Sequence, residues 1–273
     1  MAMDVSIIIL NYNTSELLGE CLRSLYQFPE TRTYEIIVVD NGSLDSSCDH
    51  IRSNFPDVKI IRNEKNIGFS RGNNTGALAA RGSFVLFLNS DTLFTGNCIA
   101  PLAELLHDHP DVGAVGPKLL NADGTLQLSC GSLPNLFVEL WDKVRYSLHR
   151  RGGKSIRLLY DRFHQRTRET GWITGACMMI RSDTFRSLGG FDENYFMYFE
   201  DKDLCHRLKK SGWKIMYFPA AAIVHLLGGT SKKSGKDEIN RYYRESQKYY
   251  YERHLNRFHR IGLQFYFSLS GKG

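Results

Sequence analysis

No stretch of this sequence is apolar for long enough to cross a bilayer, and the first apolar run, Val5 to Leu10, lacks the basic flank and small-residue cleavage site of a secretion signal. Neither a spanning helix nor a signal peptide is expected. The six cysteines, Cys21, Cys48, Cys98, Cys130, Cys177 and Cys205, contain no C-x-x-C pair, which speaks against a zinc site and for reduced core thiols in a cytoplasmic protein. The fingerprint G-x-G-x-x-G is missing after the first strand, and so is a P-loop, which argues against dehydrogenase and nucleoside-triphosphatase readings. Internal repeats, low-complexity segments and a recognisable nucleic-acid module are absent as well.

What is there is a chain of 273 residues, 42% hydrophobic and 23% charged, enough for one large domain or a domain with an annex. Its formal charge of +6 is uneven, because Lys143 to Arg168 is almost purely basic and the stretch after Lys232 is again rich in Lys, Arg and Tyr. Two such regions suit an anionic partner. A phosphorylated substrate or a membrane surface accounts for them as well as nucleic acid does, and a solvated surface as well as either.

Strands and helices alternate through the first half: Val5 to Leu10, a helix from about Ser15, Glu35 to Val39, a helix near Asp45, Val58 to Ile61, a helix near Ser70, then Phe84 to Leu88. Runs such as Ile36-Ile-Val-Val39 belong to strands covered on both faces, so a parallel sheet of βαβ units is predicted. A helix from about Asn97 leads to a strand at Val112 to Val115. From Gly131 to Thr170 the pattern loosens and reads as a flexible substrate-side loop. Order returns with one strand from Trp172 to Ile180, a helix from about Asp201, strands at Lys214 to Phe218 and Ala222 to His225, and a Tyr- and Arg-rich helix from about Asp237 to Phe258. The apolar segment Ile261 to Leu269 follows.

Four strand ends carry polar clusters: Asn11-Tyr-Asn13-Thr14, Asp40-Asn-Gly-Ser43, Asn63 to Asn66 leading into Gly68, and Asn89-Ser90-Asp91. In a parallel sheet all four open onto one edge, where α/β proteins bind ligands. One cluster is an ordinary turn; four aligned ones describe a nucleotide pocket. Asp40 suits a base N–H or a ribose hydroxyl. Asn66-Ile-Gly-Phe-Ser-Arg-Gly-Asn73 offers backbone donors at a helix N-terminus, which favours a diphosphate. Asn89-Ser90-Asp91 supplies the carboxylate with which a protein shares a hard divalent cation with substrate phosphates.

A second constellation runs from Phe191 through Phe196-Met-Tyr-Phe199 to Glu200-Asp201-Lys-Asp203. Acidic residues in a first helical turn also complement the helix dipole, but a carboxylate between an apolar wall and a donor pocket can act as a general base. His225 ends a strand and precedes Gly228-Gly229-Thr-Ser231, which reads as a mobile segment. Evidence for a metal makes His225 a candidate ligand; without it, a hydrogen-bonded histidine is the plainer reading.

Taken in order, Val5-Ser-Ile-Ile-Ile-Leu-Asn-Tyr-Asn13, Val38-Val-Asp-Asn-Gly-Ser43, Asn66-Ile-Gly-Phe69, Leu88-Asn-Ser-Asp91, Gly175-Ala-Cys-Met-Met-Ile180, Gly189-Gly-Phe-Asp192 and Phe199-Glu-Asp-Lys-Asp-Leu204 resemble family 2 glycosyltransferases of the GT-A fold, in the rhamnosyltransferase-like branch. The resemblance implies an α/β fold with a Rossmann-like, mostly parallel central sheet flanked by helices and an acceptor-side C-terminal part. It also implies inverting transfer from a nucleotide-diphosphate sugar, with dTDP-rhamnose a candidate, to a glycan or lipid-linked glycan in cell-surface polysaccharide synthesis. By position, Asn11, Asn13, Asp40, Asn66, Gly68, Asn73, Asn89 and Asp91 fall on the donor side, and Trp172 and Gly175 on the sugar or acceptor side. Asp201 of the Glu200-Asp201 pair is the implied base, and Asp91 and His225 the implied ligands of Mn²⁺ or Mg²⁺. The first acid of the family's metal motif is Asn89 here, which implies a weaker site or contact mainly through Asp91.

The division expected is one catalytic domain over residues 1–231, with a nucleotide-sugar half (1–116) and an acceptor half (117–231), and a basic amphipathic tail over 232–273. That tail suggests peripheral contact with the inner face of the cell membrane. Packing of a terminal helix, or an oligomer contact such as a homodimer, is the other reading. No nucleic-acid partner is expected. A sugar-nucleotide pyrophosphorylase would need a Gly-rich basic loop after the first strand, which Asn11-Tyr-Asn-Thr14 is not. The remaining alternative is a non-catalytic nucleotide- or glycan-binding relative of the same fold.

Overall fold

The computed structural model describes residues 4–28, 31–151, 162–227 and 235–269. In chain order they form β1 (Val5–Asn11), α1 (Ser15–Tyr26), β2 (Tyr34–Asp40), α2 (Ser47–Asn54), β3 (Lys59–Arg62), α3 (Phe69–Leu78), β4 (Phe84–Asn89), β5 (Thr92–Phe94), α4 (Ile99–Asp108) and β6 (Val112–Leu120). Then come β7 (Leu126–Gln127), β8 (Cys130–Gly131), α5 (Leu136–Arg151), β9 (Arg168–Glu169), β10 (Trp172–Ile173), β11 (Cys177–Arg181), α6 (Ser182–Ser187), α7 (Glu200–Lys210), β12 (Lys214–His225), α8 (Lys236–His254) and α9 (Arg257–Leu269).

The main sheet runs β3-β2-β1-β4-β11-β6-β12-β5. Its first four strands are parallel, and so are β6 and β12, while β11 runs antiparallel between β4 and β6. Register matters most for the site: Asn11 pairs with Asp40, and Leu10 with Asn89, so three polar strand ends arrive level at one edge. The apolar runs are continuous because both faces are covered. Ile7, Ile9, Leu86 and Leu88 pack with Leu18 and Leu22 of α1 and Leu102 and Leu106 of α4. Ile8, Val85 and Phe87 pack on the opposite face with Ala77, Phe185, Leu204 and Leu208. All six cysteines are buried and none forms a disulfide.

Four expected elements differ. The stretch after Gly131 contains α5, started by Asn135, whose Oδ1 accepts from the N–H groups of Phe137 and Val138 at 3.0 Å, a capping signal the scattered apolar residues concealed. Gly152-Gly153 lies outside the described residues, as does Gly228 to Ser231. The single strand expected from Trp172 to Ile180 is two, β10 and β11, parted at Thr174-Gly175-Ala176. The two strands expected at Lys214 and Ala222 are one, β12, whose register against β6 shifts between Phe218 and Ala222, around Pro219, which cannot donate to the ladder. The C-terminal helix ends at His254 and restarts at Arg257.

α8 and α9 pack on the body through Tyr250, Tyr251 and Leu263, which join Tyr195 and Phe199 in a third cluster. Asp203 of α7 ties this junction down: it accepts from Arg207 Nε at 2.7 Å and from His254 Nε2 of α8 at 2.6 Å. Burial alone would raise its carboxyl pKa, but His254 and Arg207 outweigh that and hold it below the usual range. Among the described residues no helix is long and apolar enough to cross a membrane.

Candidate functional site

β4 ends in a tight turn into β5, pinned by a hydrogen bond from Thr92 Oγ1 to the Asn89 carbonyl at 2.8 Å and another from Leu226 N to the Asp91 carbonyl at 2.9 Å. The turn brings the buried Asp91 carboxylate to 3.2 Å from His225 Nε2 at the end of β12. On the far side of that ring, Nδ1 lies 2.7 Å from Gln127 Oε1. The Gln127 amide is oriented by its own donor, which reaches Asn121 Oδ1 at 2.9 Å and the His225 carbonyl at 3.3 Å. Its oxygen is therefore an acceptor, so Nδ1 carries a proton, and in the neutral ring the Nε2 lone pair faces Asp91 and the Asn89 amide donor, 3.3 Å away. In that neutral form a lone pair and a carboxylate oxygen face each other and repel, and a cation between them would relieve this. Neighbouring ligands of an octahedral ion with bonds of about 2.1 Å stand about 3.0 Å apart, which these two atoms match. No cluster of three or more His, Cys, Asp or Glu side chains suited to a metal occurs among the described residues. A cation held here would draw its other ligands from solvent or substrate oxygens, as hard cations bound with phosphates do.

Another part of the lining comes from the loop before α3. Asn41 Nδ2 donates to Asn66 Oδ1 at 2.8 Å and to the Gly68 carbonyl at 3.2 Å, while Asn41 Oδ1 accepts from Asn63. Gly68 has φ 88°, and a Cβ there would stand 2.7 Å from the Phe196 carbonyl oxygen. Only glycine lets the loop approach this closely. The N–H of Phe69 donates to that same carbonyl at 2.7 Å, so the loop before α3 and the loop before α7 are locked together.

That second loop passes through two consecutive left-handed residues, Tyr198 (φ 72°) and Phe199 (φ 66°), immediately before α7. Strained backbone of this kind persists where surrounding packing enforces it. Phe199 is buried against Tyr243 and Tyr250 of α8, and Phe196 stacks on Tyr242. The turn delivers Glu200 and Asp201 to the cavity. Asp201 accepts from Gly175 N at 3.1 Å and from its neighbour Lys202 N at 2.8 Å. Glu200 is buried, and its Oε2 has no hydrogen-bond partner. Burial holds the Glu200 carboxyl well above the usual range and the Asp201 charge adds to this. Burial also raises Asp201, against the opposing pull of Lys202 and the two N–H donors. The pair titrates as a unit.

These parts enclose a cavity of about 360 Å³. Of the residues singled out from sequence, Asn66, Gly68, Asn89, Asp91, Trp172, Gly175, Glu200, Asp201 and His225 line it. Asn11, Asn13, Asp40 and Asn73 do not. Asp40 is fully buried, accepting from Asn11 Nδ2 at 2.9 Å and Ser43 N at 3.1 Å, with Arg62 at 3.6 Å. Asn13, at φ 56°, accepts from Leu44 N, and Asn73 donates to the Phe69 carbonyl. Asn11, Asn13 and Asp40 thus tie the ends of β1 and β2 together, while Asn73 bonds within α3. The sequence reading did not single out Tyr12, Lys202 and Tyr243, which also line the cavity. Lys202 sits over the Phe199 and Trp172 rings at 4.2 and 5.1 Å. It also missed Gln127, which sits in a two-residue strand with no local pattern.

The family model described as glycosyl transferase family 2 matches residues 6–189, and one described as the N-terminal domain of galactosyltransferase matches residues 157–227. The chain is 26% identical over 259 residues to the N-acetylglucosaminyl-diphospho-decaprenol L-rhamnosyltransferase of Mycobacterium tuberculosis, covering 91% of this chain and 84% of that protein. Two solved structures share its fold. One is GalNAc-T7 with UDP, GalNAc and Mn²⁺, with a TM-score of 0.64 at 17% identity, covering 92% of this chain and 50% of that one. The other is a mannosyltransferase from Pyrobaculum calidifontis in complex with GDP-Man and Mn²⁺, with a TM-score of 0.61 at 20% identity, covering 89% and 61%. The chain thus spans between half and two-thirds of the length of these two structures, and the shared architecture is the GT-A fold.

Proposed function

Since the chain belongs to glycosyl transferase family 2, we propose that it transfers a sugar from a nucleotide-diphosphate donor, dTDP-rhamnose being the first candidate, to a glycan or lipid-linked glycan acceptor at the inner face of the cell membrane, with inversion. The observation that carries this reading is one cavity lined by Asp91, His225 and Asp201 together. The donor's diphosphate would lie toward Asp91, His225 and Asn89, and its nucleoside toward Asn41, Asn66 and Gly68, on strand ends braced by Asn11, Asn13 and Asp40, with Asn73 on the adjoining α3. Trp172 and Gly175 would border the sugar and acceptor. The donor half (1–116) then supplies Asp91, the acceptor half (117–231) supplies Asp201 and His225, and the C-terminal part (232–273) adds Tyr243.

An acceptor hydroxyl is a poor nucleophile near neutral pH. Asp201 removes its proton at a carboxylate oxygen as the bond to the anomeric carbon forms, a role typically contributing ~10²- to 10⁴-fold. A raised pKa suits this base, because a carboxylate held above the usual range is the stronger proton acceptor. Gly175 N aims the carboxylate, and Lys202, which also lines the cavity, would meet negative charge on the substrate. Asp91 and His225 would hold Mn²⁺ or Mg²⁺, which when bound offsets the charge gathering on the departing diphosphate.

The test is nucleotide release from UDP-, dTDP- and GDP-sugars, with and without Mn²⁺ or Mg²⁺, using a lipid-diphosphate sugar acceptor. Metal-dependent release with one donor is expected. Silence across the panel, with calorimetry finding no metal-dependent nucleotide binding, would instead favour a non-catalytic relative.

A further inference from the structure

Large apolar side chains left in water are concentrated at one place. Among the described residues, half of those that are exposed come from α5 and α9, two helices packed against each other. On α5, Phe137, Leu140, Trp141 and Val144 recur at spacings of three, four and seven, the stripe of one helical face. On α9, Phe258, Ile261 and Phe265 do the same. The stripes meet where the Phe137 and Phe258 rings stack with centroids 6.0 Å apart, and Leu136 fills the space beside Gly262. Trp141 is 61% and Phe265 64% exposed, so this face is not the edge of the core. A contiguous apolar patch on a protein surface marks an interaction site.

Charge selects the occupant. α9 contains no acidic residue, and its Arg257 and Arg260 are exposed. Lys143 of α5 reaches over the Tyr266 ring of α9 at 3.8 Å. Of the two acids on α5, Glu139 turns inward to Gln247 of α8, and Asp142 is half-buried. An apolar stripe of Trp, Phe and Ile edged by cations is the pattern of helices lying in the plane of an anionic bilayer. A second copy docked through the same patch would present the same cationic rim, and α9 has no acidic residue to meet it.

We propose that α5 and α9 together form a membrane-docking face for anionic lipid, with Phe137, Trp141, Phe258, Ile261 and Phe265 entering the headgroup boundary and Lys143, Arg257 and Arg260 meeting lipid phosphates. This deepens the membrane-side partner proposed above and gives it a surface, one half of which lies far from the C-terminal tail in sequence. The face adjoins the cavity through one helix: Gln247 of α8 holds Glu139 of α5, and Tyr243 of α8 lines the cavity. An acceptor anchored in the same bilayer is thereby presented beside the site.

The experiment is co-sedimentation of the full chain with acceptor-free vesicles of phosphatidylcholine alone or mixed with phosphatidylglycerol, with tryptophan emission recorded in parallel. Binding to the anionic vesicles with a blue shift is expected. Replacing Trp141 and Phe265 together by Ser should weaken it at least about tenfold. Arg257→Gln and Arg260→Gln should each weaken it about fivefold. Leu78→Ser, on an even more exposed apolar residue of α3, should change nothing, and circular dichroism should show every variant folded. No binding, equal binding to both vesicles, or a concentration-dependent dimer abolished by the Ser substitutions would overturn the proposal. Because these vesicles contain neither donor nor acceptor, failure of the transferase reading would leave this result untouched.

Discussion

Replacing Glu200 by Gln is expected to make the protein more stable near neutral pH. Glu200 is 6% exposed, and its Oε2 has no partner, while Asp201 brings a second carboxylate beside it. An unsatisfied buried acceptor costs about 1–3 kcal/mol, and more if charged. Gln keeps the shape and removes the charge. Because the folded carboxyl sits well above its ordinary value of 4.5, the native state binds more protons than the unfolded chain as pH rises past that value. Stability from this group is therefore fullest in acid, falls as pH rises from 4.5 through the folded-state value, and stays low beyond it. Gln lacks this fall. The variant should match the wild type on the acid side of 4.5 and exceed it by about 1–3 kcal/mol near neutrality. That difference reads as a melting temperature higher by about 2 °C for each kcal/mol. Urea unfolding across this pH range measures it. A variant no more stable than wild type at neutral pH, or a difference that does not shrink toward acid, would refute the argument that burial of this charge is an energetic cost retained for the site.

Other consequences are as direct. Asp201→Asn should lower transfer by ~10²-fold or more while calorimetry still finds metal-dependent donor binding; unchanged turnover would remove Asp201 from the base role. Gln127→Leu should release the His225 tautomer and weaken Mn²⁺ binding roughly 10- to 100-fold, read by calorimetry in the absence of donor. Asp203→Asn leaves Arg207 and His254 facing a neutral amide and should cost about 3–5 kcal/mol in unfolding experiments. Since the Asp203 carboxyl is held below its ordinary value of 3.8, its contribution is present above that pH and is lost as pH falls through the folded-state value. Gly68→Ala should destabilise by about 1–3 kcal/mol, because a left-handed backbone and the Phe196 carbonyl both oppose a methyl group.

Much of the fold is legible in sequence because its signals are local. Continuous β-branched runs marked β1 and β2 as strands covered on both faces, and polar tripeptides marked where they end. α5 was missed because its outward stripe is apolar, so the usual alternation between a buried face and a wet one is absent from 136–144, and its Asn135 cap passed for loop. The Trp172–Ile180 run read as one strand because nothing local says that Gly175 N leaves the ladder to meet Asp201.

For the site, the division is between residue type and direction. Sequence alone determined that acids, amides and a histidine would stand at strand and helix ends of a sheet opening to one edge, since strand pleating and chain order decide that without reference to distant partners. Tertiary packing decided which of them face the cavity: parallel register sets Asn11 and Asp40 against each other outside the cavity lining, while the β4–β5 turn sends Asp91 across to His225. It also recruited Gln127 and Tyr243, far apart in the chain, to hold a tautomer and line the cavity. A hydrogen bond or a shared wall depends on where two segments meet in space, and that is settled only when the core closes.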